Sequence, residues 1–380
     1  MFKIKTMCII IVAIILSFAP TTAYAAEFHG NLQCTSAILM EASTGKILYE
    51  KNADAPLPPA SVTKIMTLLL VIEAVDSGKI RLTDMVTASE NAASMGGSQV
   101  YLKVGEQMSV DEMIKCVVIA SANDCAVALA EHLCGSEDAF VALMNERAKE
   151  LGMLNTNFEN TNGLDDTVTN HVISAKDIAI MSRELLKHDI ITKYSSTWMD
   201  TIRNGTFGLT NTNRLIRFYA GANGLKTGST AKAKFCISAT AKKDGMQLIA
   251  VIMAAPTRDI RNNEAKQLLD FGFLNYGVYT LPGAKTDAIA IKGGVKDTCV
   301  LEYSDFSAIL EKDKISKIIT RFELPYELQS PIAKGDVVGR IIIEENGTEI
   351  GSVNLVSAED VPKIGYDEIL KRILNGFFIN

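Results

Sequence analysis

The chain has 380 residues, 48% of them hydrophobic, and a formal net charge of −6. An acidic chain without basic clusters does not suit a nucleic-acid partner, and its length exceeds one compact core, so two domains are expected. The cysteines are dispersed with no metal-type spacing, so no metal and no cofactor are expected.

Residues 1–25 read as a secretory signal peptide. Lys3 and Lys5 give a positive start, Met7 to Phe18 an apolar stretch, and Ala23-Tyr24-Ala25 a small-x-small cleavage site. A bilayer span needs about 20 residues, so this stretch is short for a membrane anchor and export is expected. Cleavage removes two lysines and no acid, taking the charge from −6 to −8. Six cysteines remain: Cys34, Cys116, Cys125, Cys134, Cys236 and Cys299. They are read as buried free thiols, although export permits disulfides.

Ser36 to Met40 and Lys46 to Glu50 are predicted strands around a Ser43-Thr44-Gly45 turn. After a proline-rich approach, Ala60-Ser61-Val62-Thr63-Lys64 leads into an apolar run to Val75 that suits a buried helix. A helix beginning at Ser61 sets Lys64 on the same face one turn away. A serine is a poor nucleophile unless a base is beside it, and spacing offers Lys64. Alone, this is a short motif that recurs in unrelated proteins.

Val110 to Ala120 and Asp124 to Cys134 are predicted helices, the second closed by Gly135. Before the second stands Ser121-Ala122-Asn123, readable as helix capping or as a hydroxyl and an amide projecting into a cleft. His132, in an Ala-rich stretch, is expected to pack in its helix, and nothing supports a Ser-His-Asp triad. Gly96-Gly97-Ser98 reads as a turn or a mobile loop at the cleft mouth. Lys226-Thr227-Gly228-Ser229 precedes predicted strands at Lys234 to Thr240 and Gln247 to Ala254. It is readable as a protected sheet edge. Glu264 to Phe271 is a predicted helix. Helices on one side of an antiparallel sheet built from both ends of this region make an α+β fold over residues 26–280.

Residues 281–363 change texture. Ala288 to Ile291, Ile318 to Glu323, Val337 to Ile343 and Glu349 to Val356 are short alternating or β-branched runs, predicting a small all-β domain. Residues 364–380 form an amphipathic tail, with Leu370, Ile373, Leu374, Phe377 and Phe378 at three- and four-residue spacing. The tail suits a peripheral membrane anchor; the alternative is a helix packed on the β domain.

The order Ser-x-x-Lys, Ser-x-Asn, Lys-Thr-Gly is the set of penicillin-binding proteins and class A β-lactamases. With it, the chain resembles the low-molecular-mass penicillin-binding proteins, the serine D-alanyl-D-alanine carboxypeptidases of bacterial walls. Glu41-Ala42-Ser43-Thr44-Gly45-Lys46 is similar to that family's opening hairpin, and Asn160-Thr161-Asn162-Gly163-Leu164 to its Asn-x-x-Gly-Leu segment. The wording around Ser121-Ala122-Asn123-Asp124-Cys125 resembles forms from spore-forming Gram-positive bacteria, which suggests a sporulation role.

The resemblance implies a substrate, the peptidoglycan pentapeptide stem ending in D-Ala-D-Ala, and covalent inhibition by β-lactams. It implies Ser61 as the acylated nucleophile, Lys64 as proton acceptor, Ser121 as proton relay and Asn123 as an orienting amide. Lys226 and Thr227 would receive the terminal carboxylate. Gly228 would let the strand approach the substrate, and the N–H groups of Ser61 and Ser229 would form the oxyanion hole. Arg261 would help hold the carboxylate; an ion pair with Glu264 is its alternative. A β-lactamase would need a Glu-x-x-x-Asn base, and Glu159 stands one residue short of that spacing from Asn162. A transpeptidase, a β-lactam sensor and a wall-binding scaffold are the other competing readings.

Overall fold

The computed structural model describes residues 27–378, so the expected signal peptide lies outside the described residues. A five-stranded antiparallel sheet organises the larger part. Its strands are β1 (Ser36–Glu41), β2 (Ile47–Lys51), β3 (Ala222–Thr230), β4 (Lys234–Lys243) and β5 (Met246–Ala255), in the order β2-β1-β5-β4-β3. Both ends of the region therefore meet at the sheet centre, where β1 pairs with β5 from Ser36↔Met253 to Glu41↔Leu248.

These two strands read as continuous apolar runs because both faces are covered. Ile38, Met40, Ile249, Val251 and Met253 face one core, and Ala37, Leu39, Leu248, Ala250 and Ile252 face the other. The first core is filled by helices α1 (Lys64–Asp76), α2 (Val110–Lys115), α3 (Asn123–Cys134), α4 (Glu137–Glu150) and α5 (Ala175–Leu185). The second is closed by α6 (Arg258–Asn275) through Leu268, Leu269 and Phe271. The expectation of helices on one side is corrected: the sheet is sandwiched, because strands apolar on both faces need two covers.

Helix α1 is buried nearly all round, from Lys64 to Ile72. It begins at Lys64 rather than at Ser61, which sits on a preceding 3-10 turn, Ala60–Thr63. The predicted Val110 to Ala120 helix divides, its second half Cys116–Ala120 being a π-helical turn. His132 is exposed on α3 and does not pack in the core, since it falls on the outer face of a helix whose inner face is Ala- and Val-rich. The six described cysteines are unbridged, five buried and Cys134 half-buried.

The C-terminal part is all-β. Ile318–Glu323, Val337–Glu345 and Thr348–Ser357 form the core of a second five-stranded sheet, beside a three-stranded one that contains Ile289–Lys292. Ile291, Leu301, Leu328, Ile341, Leu355 and Val361 fill its small core. Strand Tyr276–Leu281 pairs with Phe306–Glu311, so a ribbon crosses the boundary expected after residue 280. The chain closes on helix α7 (Tyr366–Phe378). Arg372 ties α7 to Asp297 and the Val295 carbonyl, yet Leu370, Ile373 and Leu374 remain 58, 51 and 47% exposed. Among the described residues no helix is long and apolar enough to cross a membrane.

Candidate active site

The 3-10 turn carries Ser61 to the mouth of a cleft between the helical block and the edge strand β3. Lys64 opens α1 one turn later, fully buried, with Nζ 2.9 Å from Ser61 Oγ. The same nitrogen donates to Asn123 Oδ1 at 2.5 Å and to the Asn162 carbonyl at 2.8 Å. Burial, and then the nearby Lys226, hold the Lys64 amine well below its ordinary pKa.

Ser121 and Asn123 are not helix caps. The N-cap of α3 is Ala122, which offers no side-chain bond. Ser121 is left-handed, φ 64, at the end of the π-helical turn, where the Ala122 N–H donates to the Cys116 carbonyl. Such turns recur at functional sites, and a positive φ on a residue with a Cβ is strained. Asn123 is clamped from both sides: its amide Nδ2 donates to the Gly96 carbonyl at 2.7 Å and its N–H to the Ser98 carbonyl at 2.7 Å. The Gly96-Gly97-Ser98 segment is thus a bend whose carbonyls hold Asn123 in place.

Lys226-Thr227-Gly228 lies within β3 itself rather than leading into the Lys234 strand. β3 is indeed a sheet edge, but Lys226 points inward and is 1% exposed, unlike a solvated edge lysine. Its Nζ donates to Ser121 Oγ at 2.7 Å and to the Thr227 carbonyl at 3.0 Å. Burial and the Arg261 charge lower its pKa to about 7. Gly228 is where β3 meets the nucleophile turn: a Cβ there would stand 2.7 Å from the Pro59 carbonyl and 2.9 Å from the Ser61 nitrogen.

Arg261, on α6, is 3% exposed and lines the cleft with Ser61, Ser121, Thr227 and Ser229. Its guanidinium donates to Asn262 Oδ1 and the Cys236 carbonyl. The alternative pairing with Glu264 is not formed, because that carboxylate accepts from the Gln33 and Cys34 N–H groups. Glu159, the candidate β-lactamase base, accepts from the Thr169 and Asn170 N–H groups and does not line the cleft.

Several contributors are not visible in the motifs. The Asn162 carbonyl reaches Lys64 because the Asn-x-x-Gly-Leu segment packs on the nucleophile turn, where a Cβ at Gly163 (φ 83) would collide with the Ala60 carbonyl oxygen. His171 is buried; its Nδ1 accepts from the Glu159 N–H at 3.0 Å, leaving Nε2–H to donate to Thr63 Oγ1 at 2.7 Å. Thr63 Oγ1 then donates to the Ala60 carbonyl. Burial lowers the His171 pKa to about 4, so it stays neutral. Thr212, Trp198, Arg214, Phe218 and Arg258 complete a cleft of about 630 Å³. The lone tryptophan and an arginine one helical turn before Arg261 were the available signals.

A serine beside a buried lysine whose pKa is held well below its ordinary value, faced by cationic groups, suits acyl transfer on an anionic substrate. The chain belongs to the D-alanyl-D-alanine carboxypeptidase family, whose model matches residues 21–257, and residues 285–363 match the C-terminal domain of penicillin-binding protein 5. It is 42% identical to D-alanyl-D-alanine carboxypeptidase DacF of Bacillus subtilis over 95% of both chains. Penicillin-binding protein 5 of Haemophilus influenzae superposes with a TM-score of 0.74 at 34% identity, covering 88% of this chain and 99% of that one. Penicillin-binding protein D2 of Listeria monocytogenes, in its ampicillin-bound form, gives 0.60 at 31% identity, covering 65% of this chain and 100% of that one. The protein is thus a serine-type D-Ala-D-Ala carboxypeptidase of cell-wall metabolism that works through an acyl-enzyme and binds β-lactams.

Proposed function

We propose that Ser61 attacks the carbonyl between the two terminal D-alanines of a pentapeptide stem, with Lys64 as its base. One observation carries this: the three groups around Lys64 Nζ. Asn123 Oδ1 and the Asn162 carbonyl are acceptors, so they take both hydrogens of a neutral amine, and its lone pair is left facing Ser61 O–H. The orientation of Asn123 is fixed because its Nδ2 is already used by Gly96.

Ser121, joined to Lys226, relays the proton to the departing amine. Lys226, Thr227 and Arg261 receive the substrate carboxylate, which supplies the counter-charge this cluster lacks. The Ser61 and Ser229 N–H groups face the developing oxyanion, each donor worth about 3 kcal/mol in the transition state. The tight approach of Gly228 to Ser61 supports that arrangement. Water then releases the acyl group. The chain acts after export and cleavage following residue 25, with the exposed apolar stripe of α7 lying on the membrane surface.

The test is D-alanine release from a D-Ala-D-Ala pentapeptide by the purified protein and by Ser61→Ala. Release that depends on Ser61 supports the reading, and release by the variant would refute it. For the tail, sedimentation with anionic vesicles is expected to be lost in Leu370→Asp/Ile373→Asp; retained sedimentation excludes the anchor.

A further inference from the structure

Tyr101 is held in a conformation that its own side chain does not favour. Its φ is 59, in the left-handed region, and the residue is 66% exposed. A residue with a Cβ is strained there, whereas glycine is not. The side chain gains no partner in the fold: its hydroxyl makes no hydrogen bond, and its ring meets no other aromatic ring or cation among the described residues. The backbone around it is instead over-determined, the usual condition for strain to persist. The Val100 and Leu102 N–H groups donate to one oxygen of the buried Asp124 carboxylate, at 3.0 and 3.1 Å. From the other side, Arg203 donates to the Val100 carbonyl at 2.8 Å and to the Tyr101 carbonyl at 3.5 Å. Val100 and Leu102 are buried, so the segment is anchored on both sides of a ring that is turned out to solvent.

The ring stands at the rim of the cleft. Asp124 directly follows Asn123, and the Ser98 carbonyl, three residues before Tyr101, accepts from the Asn123 N–H. Ser98 lines the cleft, and three residues span at most about 11 Å. Arg203 lies at the tip of a hairpin, Met199–Ile202 with Phe207–Thr210, that leaves the cleft wall at Trp198 and returns to it at Thr210. Between them is a hollow of about 600 Å³, lined by Tyr101, Lys103, Val104, Gly105, Glu106 and Arg203. It sets an aromatic face and the exposed Val104 beside two cationic donors and a carboxylate. An aromatic ring presents a negative face to C–H groups, and a few polar groups around it fix orientation. That combination suits a sugar ring, which has a C–H face and a rim of hydroxyls.

Resting on the pentapeptide-stem reading above, we infer that Tyr101 and this hollow bind the glycan strand from which the stem hangs, the tyrosine ring stacking on an acetylated amino-sugar. The stem residues that stay with the acyl group, four of them, span about 14 Å when extended. The sugar therefore falls outside the cleft, at its rim. The site holds wall-bound stems in place and takes no part in the chemistry at Ser61, so a free peptide gains nothing from it.

The experiment measures D-alanine release from the free pentapeptide and from the same peptide carried on an acetylated amino-sugar disaccharide, together with sedimentation on glycan strands freed of stems. Tyr101→Phe keeps the ring; Tyr101→Gly removes it and accepts the left-handed backbone. Tyr101→Gly is expected to lose about tenfold in kcat/KM on the glycan-linked peptide, mainly through KM, the size of one aromatic contact. It should stay within about twofold on the free peptide and no longer sediment with the strands. Its Tm should hold, because relief of strain offsets the added freedom of the unfolded chain. Tyr101→Phe should match wild type throughout. An equal loss on both peptides, or unchanged sedimentation, overturns the inference, as does a lower Tm in Tyr101→Gly, which would make the ring part of the fold. If wild type releases D-alanine from neither peptide, the stem reading fails, and sedimentation alone decides the glycan site.

Discussion

The α+β part buries two lysines, an arginine and four carboxylates, whereas Ser357 is the one buried polar residue of the C-terminal β part among the described residues. The two kinds of buried charge are also treated differently. Each carboxylate is matched by donors: Asp124 by the Val100 and Leu102 N–H groups, Asp177 by Asn155 and Thr156, Glu41 by Ser43 and Thr44, and Glu264 by Gln33 and Cys34. Lys64, Lys226 and Arg261 have only neutral acceptors and form no ion pair among the described residues. Buried anions are costly unless paired or hydrogen-bonded, so these serve the fold. These three basic groups are the ones to which the proposed carboxylate binding and proton transfer are assigned. Among the described residues, the β part holds ordinary core packing and no such unfinished charge.

Substitutions test this contrast. Ser61→Ala should abolish D-alanine release, a loss of about 10³-fold or more, with Tm nearly unchanged. Lys64→Gln should slow acylation by a fluorescent penicillin by about 10²–10⁴-fold, the range for loss of a general base. Gly163→Ala should cost about 1–3 kcal/mol of stability and depress activity, because its left-handed backbone and its contact with Ala60 leave no room for a methyl group. At the other pole, Ser357→Ala removes a hydroxyl shared by Cys299 and the Glu359 carbonyl. It should lower stability by about 1 kcal/mol and leave kcat/KM unchanged.

The buried cations also predict two pH effects. As pH rises through about 7, Lys226 loses its charge in the free enzyme, so KM for the pentapeptide should increase. Falling pH protonates Lys64 and removes the base, giving a bell-shaped kcat/KM profile. Lys226→Arg should flatten the alkaline limb. For stability, the unfolded chain binds the Lys226 proton up to its ordinary 10.5, but the folded chain only up to about 7. Between those values the unfolded state holds more protons, so stability rises with pH, and Lys226→Met should show a shallower rise in Tm.

Much of this was legible in the sequence. The spacing of Ser61 and Lys64 and the order of the later motifs mark residues that the fold does gather. The double cover of the sheet was missed, although the alternation-free runs of β1 and β5 carried its signal. What was not legible depends on backbone and on distance along the chain. The third partner of Lys64 is the Asn162 carbonyl, which every residue type possesses. The π-helical turn that swings Ser121 into the cleft leaves no mark in Cys116–Ala120, whose side chains suit an ordinary helix. Arg214 and Arg258 lie in stretches with no period to read, and only the folded chain shows that they share a cleft. His132 misled because helix membership does not say which face is buried.

The site at which a β-lactam attaches decides whether Ser61 is the nucleophile. After incubation with benzylpenicillin, intact-protein mass spectrometry followed by peptide mapping should find one penicilloyl adduct, on the peptide containing Ser61. The adduct should form much more slowly in Lys64→Gln and not at all in Ser61→Ala. An adduct at Ser121 or any other serine, or labelling of Ser61→Ala at the wild-type rate, would rule out Ser61 as the nucleophile.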